Sequence, residues 1–316
     1  MLDVSIIIVS WNTRDILRDC LESVYKQSEN IEFEVIVVDN DSADGSAETV
    51  KKDFPQVILV ENSENRGFAA ANNQGMAVAA GRYFLLLNSD TIILDNAISK
   101  VVSFADNHLE AAVVGCRVLN PDKTLQPTCF MFPSLLNMIL SSTYLYKLFP
   151  RSKFFGRESM TWWNRDDTRE VDVVTGCFML VRREAIEQVG LMDERFFMYG
   201  EETDWCYRFK KAGWKVVFAP VGEIIHLGGQ STLQERSDMI VQLRLSILKF
   251  LRKHHSRLAY GIACFLTVLF FAIRVPFWTF LSLLSQEKRK QSVIKTRAYL
   301  SGIGKIIFVR PNQRNN

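Results

Sequence analysis

The chain has 316 residues, 48% of them hydrophobic and 23% charged, with a formal net charge of +3. That length and apolar content predict a packed core and exclude global disorder. The small net charge excludes nucleic acid as an expected partner.

Met1-Leu2-Asp3 leads straight into an apolar run, without a basic stretch or cleavage site, so no signal peptide is expected. Val4–Val9 is rich in β-branched residues and reads as a buried strand. From Asp15 to Gln27, apolar Ile16, Leu17, Cys20, Leu21 and Val24 recur at helical spacing. Phe33–Val38 is a second buried strand, and Asp39–Ser46 is turn chemistry leading into a helix. Val57–Val60 reads as a strand, Asn72–Ala80 as a helix closed by Gly81, and Tyr83–Leu87 as a fourth strand. A helix follows over Ala97–Asn107.

Strands alternating with helices predict an α/β fold with a mostly parallel sheet. Such sheets bind ligands beyond the carboxyl ends of their strands. The polar clusters at 10–13, 39–46 and 88–90 all fall there.

Residues 120–170 carry Pro121, Pro127, Pro133 and Pro150 and read as irregular. Val171–Arg182 is strand-like. Gly200–Ala212 is a helix with Glu201, Glu202 and Asp204 in its first turn and Arg208, Lys210 and Lys211 in its last, both favoured by the helix dipole. Ser237–His255 is a basic amphipathic helix, Leu258–Leu284 is largely apolar, and 285–316 is polar and basic. The six cysteines form no Cys-x-x-Cys pair and read as reduced thiols of a cytosolic protein.

Four constellations can carry chemistry. On extended backbone, Asn88 and Asp90 point the same way. A carboxylate there can hold Mg²⁺ or Mn²⁺ with phosphates; a polar turn capping the next helix is the alternative. Among the crowded acids Glu201, Glu202 and Asp204, one in apolar surroundings can serve as general base; ordinary first-turn acids are the alternative. His226, ahead of Leu227-Gly228-Gly229-Gln230-Ser231, is a candidate metal ligand. Arg66 and Asn72, in Asn65–Asn73, suit phosphate or ribose oxygens; a surface turn with an N-cap asparagine is the alternative.

In order, Ser5–Asn12 (SIIIVSWN), Asp39–Ser46 (DNDSADGS), Asn65–Gly75 (NRGFAAANNQG), Leu85–Asp90 (LLLNSD), Thr175–Leu180 (TGCFML) and Glu201–Arg208 (EETDWCYR) resemble the successive motifs of family 2 glycosyltransferases. LRKHH at 251–255 resembles the rhamnosyltransferase-like branch. The resemblance implies a GT-A fold (Rossmann-like, mostly parallel central sheet) over 1–235, with a membrane-associated helical region over 236–316.

It also implies an inverting, metal-dependent transfer from a nucleoside-diphosphate sugar, with dTDP-rhamnose the first candidate. Ser10, Asn12, Asp39 and Asp41 then hold the nucleoside, and Arg66 and Asn72 face the nucleotide. Many relatives carry arginine at the position of Asn72. The family's Asp-x-Asp aligns with Asn88-Ser89-Asp90, so a single carboxylate, Asp90, binds the metal, with His226 as second ligand. Glu202 takes the position of the general base, with Glu201 and Asp204 as competitors. Gly176, Cys177 and Trp205 lie on the acceptor side.

Leu258–Leu284 is long enough to span a bilayer at ~1.5 Å per residue against ~30 Å, but Arg274 and Pro276 interrupt it and both flanks are basic. A re-entrant hairpin bent at Arg274–Pro276, or in-plane helices, keeps both flanks on the cytoplasmic side. A single span and a buried helix of a soluble oligomer are the alternatives, and homo-oligomerisation stays open. The expected place is the cytoplasmic face of the bacterial inner membrane. There the acceptor is a polyprenyl-diphosphate-linked saccharide of O-antigen or other surface-polysaccharide assembly. A nucleotidyltransferase and a catalytically inactive membrane scaffold are the competing readings.

Overall fold

The computed structural model describes residues 2–228, 236–284 and 286–307. These residues divide between two compact units, Met1–Phe132 with Pro150–Ser231, and Pro133–Phe149 with the chain from Thr232 on. The insertion at 133–149, expected to belong to the catalytic domain, therefore packs with the C-terminal helices. The stretch 229–235, which contains the expected 235/236 boundary, lies outside the described residues.

The first unit opens with β1 (Val4–Ser10), α1 (Arg14–Lys26), β2 (Phe33–Asp39), α2 (Ser46–Asp53), β3 (Ile58–Glu61), α3 (Gly67–Val78) and β4 (Tyr83–Asn88). Next come β5 (Thr91–Leu94), α4 (Ala97–Asp106), β6 (Ala111–Leu119) and β7 (Cys129–Phe130). The inserted segment of the second unit carries α5 (Leu135–Thr143) and α6 (Leu145–Leu148). The first unit resumes with β8 (Arg169–Glu170), β9 (Val173–Val174), β10 (Phe178–Arg182), α7 (Arg183–Val189), α8 (Glu201–Lys211) and β11 (Lys215–His226). The second unit ends with α9 (Arg236–His254), α10 (Arg257–Leu284) and α11 (Gln286–Ile307).

The main sheet runs β3-β2-β1-β4-β10-β6-β11-β5, with β8 beside β11. β3, β2, β1 and β4 are parallel. β10 lies antiparallel between β4 and β6. β11 is parallel to β6 and antiparallel to β5. The sheet is thus mixed, with most strands pointing one way.

Strand side chains alternate between two cores. Ile6, Ile8, Val37 and Leu85 meet α1 and α4 on one face. Ile7, Ile36, Val38 and Leu86 meet α3 and α8 on the other. Each such aliphatic contributes about 1.5–3 kcal/mol when fully buried.

Several expected boundaries shift. α3 starts at Gly67, five residues before Asn72, so Asn72 is inside the helix rather than at its cap. Its Nδ2 donates to the Phe68 carbonyl at 2.9 Å. Asn73 exchanges hydrogen bonds with the Met192 backbone. A carbonyl of the preceding turn thus satisfies Asn72 and a tertiary partner satisfies Asn73, two asparagines that helix propensity alone disfavours. Asn88 closes β4 and Ser89-Asp90 form the turn into β5, so the tripeptide is neither extended throughout nor a helix cap. The strand-like stretch 171–182 splits into β9 and β10. α10 runs unbroken past Pro276, so no bend exists at Arg274–Pro276. The chain turns after Leu284 instead, and residues 286–307 form α11 where a polar tail was expected.

α3 sits tight on β1 because its inner face is alanine and glycine. A Cβ on Gly75 would come within 2.5 Å of Ile7 Cγ2. Overpacking costs about 1–3 kcal/mol, against a helix-propensity gain of about 0.5–1 kcal/mol. Gly75→Ala should therefore lower the urea midpoint; an unchanged or raised midpoint would show that α3 has room to move.

Candidate active site

The parallel half of the sheet brings three strand ends together. Register places Ser10 opposite Asp39 and Val9 opposite Asn88. The Ser10 hydroxyl lies 3.0 Å from that of Thr13, which donates to Ser89 Oγ at 3.2 Å. Ser10, Thr13 and Ser89 are buried, so this hydroxyl chain ties the first strand end to the turn after β4.

Asp39 is 4% exposed. Its Oδ2 accepts from the Ser42 amide at 2.9 Å, while Oδ1 is buried with no hydrogen-bond partner. A buried carboxylate oxygen without a donor is costly unless a ligand supplies one. Asn12, at φ 53°, accepts from the Ala43 amide and takes Ser42 Oγ on its own N–H. It clamps the loop that carries Asp41, itself at φ 66° and exposed. Arg66 is exposed at the mouth of the next loop.

An amide network that the motifs did not single out holds that loop. Asn40 Nδ2 donates to Asn65 Oδ1 and to the Gly67 carbonyl, and Asn40 Oδ1 accepts from Asn62. Gly67, at φ +80°, lets the chain pass Phe197, whose carbonyl a Cβ would approach within 2.4 Å. Asparagines spread over 25 residues carry no local signal of a shared network.

Asp90 and His226 meet although 136 positions separate them in sequence. His226 Nε2 lies 3.1 Å from Asp90 Oδ1 and 3.2 Å from Asn88 Nδ2. The imidazole is oriented by Gln126, which sequence reasoning missed. Asn120 Nδ2 faces the Leu125 carbonyl, so Asn120 Oδ1 accepts from Gln126 Nε2. Gln126 Nε2 also faces the His226 carbonyl. Gln126 Oε1 must then accept from His226 Nδ1, at 2.6 Å. That leaves the Nε2 lone pair directed at Asp90. A divalent cation between the two would accept both lone pairs.

The donor set therefore fits a hard or borderline divalent ion. It is small: among the described residues no cluster of three His, Cys, Asp or Glu assembles around such a point. Gly229, Gln230 and Ser231 of the expected His226–Ser231 segment lie outside the described residues.

The acids of α8 separate by environment. Asp204 is fully buried and paired with Arg208 at 2.8 Å. Arg208 also donates to the carbonyls of Val189 and Leu191, so this pair pins the α7–α8 connection. Glu201 is 2% exposed, within the packed interior. Glu202 is only partly covered, and its Oε1 accepts the Gly176 amide at 3.1 Å. Desolvation pushes the Glu202 carboxyl above the usual glutamate range, against the lowering effect of backbone hydrogen bonds.

Gly176 leaves room for these side chains: a Cβ there would come within 3.0 Å of Glu202 Oε1 and of Phe68. Cys177 and Trp205 do not line an acceptor surface. Cys177 is core, and burial pushes its thiol up to about 12. Trp205 is fully buried against Phe209, with Nε1 donating to the Gly190 carbonyl. The reason is helical geometry: positions 205 and 209 share the face of α8 that turns to the sheet.

The mixed central sheet with its covering helices is that of a GT-A glycosyltransferase. The chain belongs to glycosyl transferase family 2, an inverting family, whose model matches residues 5–190. It is 29% identical over 236 residues to the N-acetylglucosaminyl-diphospho-decaprenol L-rhamnosyltransferase of Mycobacterium tuberculosis, covering 70% of this chain and 75% of that protein. It is 27% identical over 240 residues to the O-antigen biosynthesis protein RfbC of Myxococcus xanthus, covering 75% of this chain and 18% of that one. Among solved structures it resembles the mannosyltransferase PcManGT of Pyrobaculum calidifontis, in complex with GDP-Man and Mn²⁺, at TM-score 0.57 and 14% identity. The match covers 98% of this chain and 89% of that chain.

Outer-sphere partners of a metal-bound histidine typically contribute about 10–100-fold in affinity. Gln126→Leu should weaken Mn²⁺ binding in the presence of nucleotide by that order while leaving the far-UV spectrum intact. Unchanged Mn²⁺ affinity, read by electron paramagnetic resonance, would remove Gln126 from the site.

Proposed function

We propose that this protein transfers a hexose, with rhamnose the first candidate, from a nucleoside-diphosphate sugar to a hydroxyl of a polyprenyl-diphosphate-linked saccharide. Its place is the cytoplasmic face of a bacterial membrane, in surface-polysaccharide assembly. The observation that carries the catalytic part is Glu202: a desolvated carboxylate, held by Gly176, beside the peptide that also abuts the Asp90 turn. The mycobacterial relative, named for rhamnose transfer to a lipid-diphosphate sugar, supports the donor and acceptor classes.

Asp39 offers its spare oxygen to an N–H or O–H of the nucleoside, and the hydroxyls of Ser10 and Ser89 border the same strand ends. Asp90 and His226, kept in register by Gln126, would hold Mg²⁺ or Mn²⁺ together with the donor's two phosphates. A cation there would neutralise charge that gathers on the departing diphosphate. Glu202 accepts the proton of the acceptor hydroxyl as its oxygen bonds to the anomeric carbon. The bond from that carbon to the diphosphate oxygen breaks on the opposite face, so the configuration inverts and the nucleoside diphosphate leaves. A raised pKa suits this role, because the carboxylate takes the proton more readily.

Glu202→Gln should abolish transfer, by at least about 10²-fold, and keep donor binding. Near-normal turnover would sink Glu202 as the base. In the wild type the charged base is lost as pH falls through the raised pKa. The acid limb of kcat/KM should thus lie above the ~4.3 of an ordinary glutamate. The stability sign is opposite to that of a salt-bridged acid. Folding disfavours charged Glu202, so its cost appears as pH rises above the unfolded value. Glu202→Gln should therefore be no less stable than wild type at neutral pH.

A thermal-shift screen of nucleotide sugars with Mg²⁺ or Mn²⁺ tests the donor. A ligand at 100 times its Kd stabilises by about 2.7 kcal/mol, so the true donor should stand apart from other nucleotides. A response to nucleoside triphosphates alone would favour a nucleotidyltransferase, and no response to any would favour an inactive scaffold.

A further inference from the structure

The second unit contains a helix with two unlike faces. One face of α10 presents Leu258, Ile262, Phe265, Leu269, Ile273 and Phe280 to the outside. Leu258 is 75% exposed, Phe265 67% and Phe280 60%. The first five recur every three or four residues and Phe280 follows two turns on, so they share one continuous stripe. At ~1.5 Å per residue the helix is about 42 Å long, and it contains no Asp or Glu.

The opposite face packs against α5, α9 and α11. Ala263, Thr267, Phe270 and Phe271 are buried there. Arg274 lies on this inner side, donating to the carbonyls of Phe270 at 3.0 Å and Ser142 at 3.1 Å. Its guanidinium rests over the Phe270 ring at 3.5 Å, and that of Arg244 does so at 4.0 Å. Lys295 of α11 sits 3.9 Å over the Trp278 ring of α10.

We infer that α10 lies in the plane of an anionic membrane surface, with its outer stripe in the lipid and α9 and α11 held on the water side. The inference rests on the membrane reading above and specifies its geometry. Length alone permits a span, since about 42 Å exceeds the ~30 Å of hydrocarbon. The packing does not. If α10 stood upright, α11 beside it would carry Lys295 and Arg297 into the hydrocarbon. Each charge costs about 2.5–3.5 kcal/mol at the bilayer centre even on the milder scale.

Charge selects lipid over a second copy of the chain. Between residues 236 and 307, thirteen lysines and arginines stand against only Asp238 and Glu287. Exposed Arg252, Lys253 and Arg257 flank the start of the stripe, and exposed Arg289 and Lys290 its end. Two such faces would repel each other, whereas acidic headgroups attract them. An amphipathic helix of this kind sinks its apolar face about 5–10 Å.

The test measures depth along the stripe. In the full chain with Cys264→Ser, cysteines introduced singly at Leu258, Phe265, Ile273 and Phe280 carry a nitrobenzoxadiazole label. Vesicles contain 30% phosphatidylglycerol and lipids doxyl-labelled at carbon 5 or carbon 12. All four labels should be quenched more strongly by the shallow quencher and to a similar degree, and 0.5 M salt should reduce vesicle binding severalfold. A profile deepest at Ile273 and shallow at both ends would overturn the in-plane geometry but leave membrane binding standing. No quenching at any position would overturn the membrane reading itself. Concentration-dependent dimerisation that shields the labels without lipid would assign the stripe to a second copy.

Discussion

The site depends on β10 entering the sheet antiparallel between β4 and β6. That insertion carries the Thr175–Cys177 turn to the strand ends. The Cys177 carbonyl takes the Asn88 amide at 3.2 Å, and the Gly176 amide holds Glu202 at 3.1 Å. One peptide pair therefore joins the end of β4, just before Asp90, to the helix that bears Glu202. A Cβ at Gly176 would press on Glu202 Oε1 and the Phe68 ring at 2.9–3.0 Å and shift the carboxylate that the join holds. A uniformly parallel sheet would place this turn at the other edge, and the two acidic sites would share no backbone.

Around this join, burial sorts chemically similar groups into different roles. Three acids start α8, yet a salt bridge engages Asp204 and the interior covers Glu201. Of the three, Glu202 alone stays partly exposed, with its carboxylate accepting the Gly176 amide. Cys177, one residue from the Gly176 hydrogen bond, is a core thiol kept protonated by its surroundings. Proximity in sequence to the reacting groups is thus a poor guide to involvement, because neighbouring residues on a strand or turn face opposite ways.

The helical unit uses the same logic on a larger scale. A single arginine in an apolar helix would oppose insertion in lipid. Here it caps backbone carbonyls and stacks on rings within the unit, leaving the outer stripe free of charge. α10 and α11 pack against each other, so residues 286–307 lie beside α10 rather than trailing from it. Pro276 stays within α10, whose inner face is braced by its neighbours.

Much of this was legible in the chain order of residues. Strand–helix alternation, the polar strand ends and the first-turn acids of α8 are local patterns, set by periodicity and helix electrostatics. They determined the α/β class and narrowed the acidic positions to Asp90 and three candidates on one helix. Tertiary structure alone decided that two of those three are buried while Glu202 stays partly exposed. It also removed Trp205 and Cys177 to the core, moved Asn72 inside a helix, and brought Gln126 to His226 across 100 positions. It drew the insertion 133–149 into the C-terminal unit. The reason is common to all: each is settled by which face of an element meets which neighbour, and that choice minimises buried unpaired polarity over the whole fold rather than along any one segment.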